Sequence, residues 1–234
     1  MYDDIAPIYQ QIFPINKEFL KFIENVLPTP PASILDIGCG NGQYVDWFSR
    51  KGYQAVGIDS SAGMIEKAKR DYQGIFFQLG FTQMDQLSNT FDCIFCIGNS
   101  LSYLPKADTH QFLSDVIMHL NPTGFVVFQM VNWDTYHDQG RMCFPVLYLP
   151  NGWSFHRSYD PIDENTISFE TELRKGIVVE QSWQAPLYPR YAQSFKNELT
   201  AAGYKTVKLF GDFNQGIFDP GSSPALVMVA SAIA

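Results

Sequence analysis

A chain of 234 residues can build one sizeable domain, or one domain carrying an insertion, because folded surface grows more slowly than length. With 46% apolar, 15% aromatic and 17% charged residues it lacks the low-hydrophobicity, high-charge signature of a disordered chain. A formal net charge of −8 without any basic run argues against a nucleic-acid partner, whose phosphates are held mainly by Lys and Arg.

In chain order, Met1-Tyr2-Asp3-Asp4 is acidic where a secretory signal would be basic, which predicts a cytoplasmic protein. Residues 16–27 carry Phe19, Leu20, Phe22, Ile23, Val26 and Leu27 at helical spacing, and Pro28-Thr29-Pro30-Pro31 ends that helix. The apolar run 33–37 meets the loop Gly38-Cys39-Gly40-Asn41-Gly42, a strand feeding a turn. Helical spacing resumes with Tyr44, Val45, Trp47 and Phe48, and Gly52 stands at the expected C-terminal cap. Residues 53–58 then read as strand, 61–72 as helix, and 74–79 and 91–97 as two more strands. A helix over 107–120 and the turn Asn121-Pro122-Thr123-Gly124 precede an apolar strand over 125–131. Strands that alternate with helices and are apolar throughout predict a parallel sheet covered on both faces.

From Trp133 to Gln184 the texture changes to alternating strands with tight turns. A strand over 143–149 leads to the hairpin signal Asn151-Gly152, followed by Trp153, Phe155, Arg157 and Tyr159 on one face. Ile167, Phe169, Thr171 and Leu173 alternate next, and residues 177–183 return after a turn at 174–176. This predicts an inserted antiparallel meander. A helix near 190–202, a strand over 205–210 and a last strand over 225–230 follow. No helical pattern separates those last two strands, so they are expected to pair antiparallel. The apolar stretch 225–234 is too short to span a bilayer, and no membrane partner is expected.

Four cysteines, at 39, 93, 96 and 143, give no disulfide framework in a chain of this size. Cys93 and Cys96 have metal-type spacing but lie on a strand, where residues three apart face opposite ways. No metal site is expected.

A strand, a glycine loop and a helix form a nucleotide-binding unit in which the backbone can approach a ligand. Asp59 closes the second strand, near the ~20-residue separation at which an acid reaches ribose hydroxyls. A dinucleotide fingerprint would need glycine where this chain has Gln43, and Asp36 would repel a pyrophosphate. S-adenosylmethionine (SAM) carries an ammonium and a sulfonium, which nearby carboxylates favour.

Here the chain resembles the class I SAM-dependent methyltransferases. Residues 34–42, Ile-Leu-Asp-Ile-Gly-Cys-Gly-Asn-Gly, match that family's first motif, and Val56-Gly57-Ile58-Asp59-Ser60-Ser61 with Met64 its second. Phe91-Asp92-Cys93-Ile94 with Gly98-Asn99-Ser100-Leu101-Ser102-Tyr103 is similar to its fourth-strand motif, and residues 121–125 to the turn before its fifth strand. The resemblance implies a doubly wound, Rossmann-like α/β fold: a seven-stranded, mostly parallel sheet with an antiparallel last strand, plus the inserted meander. It implies a helical lid at 1–32, a SAM-binding domain of residues 33–132 and 185–234, and a substrate cover at 133–184.

By the same resemblance Asp36, Gly38 and Gly40 would hold the methionine part of SAM and Asp59 the ribose hydroxyls. Ser60 and Met64 would surround ribose and adenine, Gly80 and Phe81 would form the adenine loop, and Gly98 and Asn99 would lie at the end of the fourth strand. Gly80 stands where the family often has an acid, which leaves the adenine to the Phe81 amide and apolar packing. The opening 2–9, with Phe19 downstream, resembles the lid of sugar and glycine N-methyltransferases, in which a tyrosine like Tyr9 lies beside the methyl donor.

The implied reaction takes SAM and a small nucleophile, oxygen or nitrogen, to S-adenosylhomocysteine (SAH) and a methylated product, by a monomer or homodimer. No catalytic base declares itself; Tyr9, His137 and His156 are the candidates. Arg157 either snorkels from a sheet edge or meets an anionic substrate group. Two other readings stand beside this one: an NAD-dependent oxidoreductase on a Rossmann-like fold, and a non-catalytic SAM-binding module.

Overall fold

Strands apolar at every position have no face to turn to water, and the central ones of this chain are covered on both sides, while Ile75 and Phe77 at the sheet edge stay exposed. The computed structural model describes residues 1–136 and 140–232. Seven strands form the larger sheet: β1 (Ser33–Ile37), β2 (Gln54–Asp59), β3 (Ile75–Gln78), β4 (Phe91–Cys96), β5 (Leu120–Val131), β11 (Thr206–Phe210) and β12 (Ala225–Ser231). Their spatial order is β11-β12-β5-β4-β1-β2-β3. The five from β5 to β3 run parallel, and β12 is antiparallel to both of its neighbours. This is the mostly parallel sheet with a reversed last strand that the sequence predicts. The order turns back at β1, so the ends of β1 and β4 open a crevice.

Period-two alternation divides each strand between two cores. Leu35, Ile37, Ile94, Cys96, Val126 and Phe128 pack on one face under α6 (Thr109–Met118) and α7 (Ala192–Ala201). Ile34, Cys93, Phe95 and Val127 pack on the other under α3 (Lys17–Glu24), α4 (Gln43–Arg50) and α5 (Ala62–Asp71). Cys93 and Cys96 thus lie in different cores, both free. Helix starts are set by local chemistry: Asn16 Oδ1 accepts from the Glu18 and Phe19 amides at 2.9 and 3.1 Å, and Ser61 Oγ from the Met64 amide at 3.2 Å. Before α3 the chain makes two single turns, α1 (Tyr2–Ile5) and α2 (Tyr9–Ile12).

The second sheet is antiparallel and comprises β6 (Met142–Cys143), β7 (Leu147–Leu149), β8 (Trp153–Asp163), β9 (Thr166–Lys175) and β10 (Val178–Leu187). Asn151 and Gly152 take φ of 59° and 75°, the left-handed pair that an Asn-Gly hairpin requires. One expected strand is divided: 143–149 is two short pieces, each paired to β8, with residues 144–146 between them. Pro145 there has no amide to donate to the ladder. Boundaries move elsewhere too. The helix expected over 107–120 spans Thr109–Met118, and β5 begins at Leu120, where the His119 carbonyl accepts from the Phe91 amide at 2.8 Å. Among the described residues no helix is long and apolar enough to cross a membrane.

Candidate functional site

A cavity of about 680 Å³ opens at the carboxyl ends of β1, β2 and β4, where ligands of open α/β sheets bind. Its floor is the loop after β1. Gly38 and Gly40 hold φ of 76° and 52°, a region that side chains rarely adopt. A Cβ on Gly40 would stand 3.1 Å from the Tyr9 ring, so the glycine lets the N-terminal segment close over the loop.

Two carboxylates meet here in different states. Asp59 Oδ2 accepts from the Gly40 amide at 2.8 Å and its Oδ1 from the Ser61 amide at 2.9 Å. Burial raises its pKa, and the two amides oppose that shift. Asp36 is 1% exposed, and neither of its oxygens has a partner. Burial, reinforced by the Asp59 charge, pushes its carboxyl well above the usual range. Asn41, also 1% exposed and also lining the cavity, has no partner for its side-chain oxygen or nitrogen. Unpartnered polar groups in a buried site are costly, which makes these two candidates for ligand contacts.

The loop amides decide between ligand types. Those of Gly38 and Cys39 both donate to the Ile58 carbonyl, at 2.8 and 2.9 Å, and that of Gly42 to the Cys39 carbonyl at 3.0 Å. With the Gly40 amide on Asp59, four donors that a pyrophosphate would need are already used. Asp36, where ionised, would repel the same group. This weighs against the NAD reading.

Nine predicted residues share this cavity: Tyr9, Asp36, Gly38, Gly40, Asp59, Ser60, Gly80, Phe81 and Gly98. Phe19, Met64 and Asn99 do not line it. Phe19 is fully buried one layer behind, its ring 5.1 Å from that of Tyr44, which does line the cavity. Met64 packs with Ile5 and Ala6 under the N-terminal segment. Asn99 is spent on the fold: its Oδ1 accepts from Ser102 Oγ and the Val131 amide at 2.8 and 3.1 Å, and its Nδ2 donates to Tyr159 Oη at 3.3 Å. His156 lies on the second sheet beside a smaller cavity, hydrogen bonded to Ser154 at 3.0 Å. His137 lies outside the described residues.

The sequence reading missed Asn41, Tyr44, Gln129 and Trp183 as cavity residues, whereas Tyr103, quoted in the fourth-strand motif, lines the cavity. Asn41 was legible, standing between two motif glycines. The others come from separate segments, with no local pattern to join them. Tyr103 shares a hydrogen bond with Tyr2 at 2.8 Å, and Trp183 Nε1 donates to Asp4 at 2.9 Å. Asp3 in turn accepts from Ser61 Oγ and the Gly63 amide, both at 2.7 Å. These contacts tie Tyr2, Asp3 and Asp4 to the segment after β4, the start of α5 and β10, and Met1, Tyr2, Tyr9, Ile12 and Phe13 line the cavity.

Comparison with known proteins agrees with the geometry. Residues 34–124 match a family model described as a methyltransferase domain, and they contain the loop, both carboxylates and the fourth strand. Over that stretch the chain is similar to methyltransferase domains. The chain is 25% identical over 200 residues to a glycine/sarcosine N-methyltransferase of Halorhodospira halochloris, an alignment covering 82% of this chain and 72% of that one. Two further relatives are matched over 41% and 55% of their length. Among solved structures it resembles the CcbJ methyltransferase from Streptomyces caelestis, with a TM-score of 0.83, 19% identity, and coverage of 100% of this chain and 98% of the other. It also resembles a SAM-bound amino pentose methyltransferase from Micromonospora echinaspora, with a TM-score of 0.74, 17% identity, and coverage of 97% and 95%. At such identities these two likenesses concern the fold. The unpartnered Asp36 carboxylate would suit a ligand that carries positive charge.

Proposed function

We propose that this enzyme transfers the methyl group of SAM to a nitrogen or oxygen nucleophile of a small molecule held in the 680 Å³ cavity. The observation that carries the proposal is an unpartnered buried carboxylate, Asp36, beside a second carboxylate oriented by two amides, under one roof. The relatives named for glycine, sarcosine and an amino pentose support a small acceptor.

Bound SAM supplies a methyl group on a sulfonium, an excellent leaving group. Asp36 would hold the ammonium, with Asn41 completing its hydrogen bonds, and Gly38 and Gly40 would let the backbone approach. Asp59 has lone pairs left for the ribose hydroxyls. Ser60, Gly80 and Phe81 would flank the adenine. Tyr9 and the segment around it would exclude water and align the acceptor. Among the described residues lining the cavity, Asp36 and Asp59 are the sole carboxylates, and none is His, Lys or Arg. These residues are therefore equipped for alignment rather than proton removal, which suits an acceptor that arrives with a free lone pair.

Calorimetric titration tests the reading. SAM and SAH should both bind and NADH should not, and Asp59→Ala should weaken SAM by at least ~10-fold through loss of hydrogen bonds to a charged group. Absence of heat with both SAM and SAH would sink the proposal.

A further inference from the structure

The chain has six arginines, and five have acceptors. Arg50 pairs with Asp46 and Arg70 with Asp71, both at 2.8 Å. Arg141 pairs with Asp160 and Glu170 at 3.1 and 2.7 Å, and Arg174 with Glu172. Arg190 donates to the Leu101 and Leu104 carbonyls at 2.9 and 2.7 Å. Arg157 is the exception: among the described residues its guanidinium meets no carboxylate and no hydrogen-bond acceptor, and its Nε is sealed from water. Burial lowers its pKa. In a protein carrying an excess of acids, a half-buried cation without a partner needs an explanation.

Its position suggests one. The guanidinium carbon lies 6.0 Å from the centre of the Phe13 ring and 5.3 Å from that of Phe144. Phe13 lines the large cavity, whereas Phe144 and Arg157 line the smaller one, of about 180 Å³. Arg157 therefore stands in the partition between the two. The rings attract the face of the guanidinium but offer its N–H groups no acceptor, and Nε is buried without one. The other two arginines of the small cavity are neutralised by Glu170 and Glu172, and His156 bonds Ser154, so Arg157 brings the charge still free there.

We propose that Arg157 anchors an anionic group, carboxylate or phosphate, carried by the methyl acceptor. The proposal rests on the reading of the large cavity as the methyl-transfer site. An acceptor lying across the edge of Phe13 places its nucleophile in the large cavity and its anion on the Arg157 fork, which matches either oxyanion with two parallel hydrogen bonds. Phe13 belongs to the segment that covers the large cavity, so anion capture and closure involve the same residues.

The test titrates inorganic phosphate and sodium acetate into the full-length protein at constant ionic strength set with chloride, once ligand-free and once saturated with SAH, reading heat and melting temperature. One anion should bind saturably above the chloride control. Phosphate as the tighter ligand points to a phosphorylated acceptor, and acetate to a carboxylic one. Arg157→Met keeps the apolar stem between the rings and should abolish the saturable response, with SAH affinity held within twofold. Arg157→Lys should retain part of it, and Arg157→Gln provides a second folded null variant. Equal anion binding by wild type and the Met and Gln variants, or no binding above chloride by wild type, overturns the proposal. Because the anion is also read without SAH, failure of SAH to bind refutes the functional reading separately.

Discussion

At Asp36 a buried carboxylate without a partner makes the ligand-free site less stable, and by the proposed function it would make the loaded site specific. Its folded-state pKa lies above its unfolded value, because of burial first and Asp59 second. Such a group binds its proton more tightly when folded. Its contribution to stability is complete below the ordinary carboxylate range, near 4, and is lost as pH rises through the raised value. The ligand-free protein should therefore lose stability as pH rises from about 4. Asp36→Asn should remove that loss and raise the melting temperature at neutral pH, while weakening SAM. For the wild type, SAM affinity should climb over the same interval, since the ionised carboxylate attracts the ammonium. Melting curves and calorimetry across pH check both signs, and a falling affinity would contradict the assignment.

Elements are positioned by polar groups remote from the cavity. Arg190, 2% exposed, donates to the carbonyls of Leu101, Leu104 and Tyr188 and to Thr109 Oγ1. It fastens the segment after β4, which brings Ser100 and Tyr103 to the cavity, to the start of α7. Burial lowers its pKa to about 10. Arg190→Met would strand these acceptors, and a loss of about 3 kcal/mol is expected in urea unfolding. A change within ~0.5 kcal/mol, the size of an ordinary surface substitution, would show the clamp to be idle. Nothing in Tyr188-Pro189-Arg190 announces this role, because the carbonyls it meets belong to another segment.

For the whole molecule, the decisive feature is how two sheets and an N-terminal segment meet. Tyr159 of β8 packs on Trp133, Phe144 and Phe169 at 5.1, 4.8 and 5.5 Å between ring centres, tying the second sheet to the first. The N-terminal segment crosses this junction through Asp3 to α5, Asp4 to Trp183 and Tyr2 to Tyr103. Burial raises the pKa of Tyr103 to about 12, so the hydroxyl pair stays neutral. Tyr2→Phe removes one hydrogen bond and should cost about 1 kcal/mol of stability or less. It should nevertheless speed SAH release several-fold, as measured by stopped-flow competition. Unchanged release would dissociate the segment from closure.

Much of this was legible in the residue order. Continuous apolar strands alternating with helices identify a parallel sheet, because strand and helix periods are local properties of the chain. The glycine loop and the acid that ends β2 point to a nucleotide site for the same reason: each is a short segment whose backbone and side chains act together. Even the reversed β12 followed from a missing helix. What residue order left open is contact between segments. Phe19, Met64 and Asn99 carry the residue types of a binding site yet serve the core or a turn, whereas Tyr44, Gln129 and Trp183 reach the cavity from three separate stretches. Burial and hydrogen-bond satisfaction depend on every neighbour at once. That is why tertiary structure alone separated a spent Asn99 from an unsatisfied Asn41, and a paired Arg141 from a partnerless Arg157.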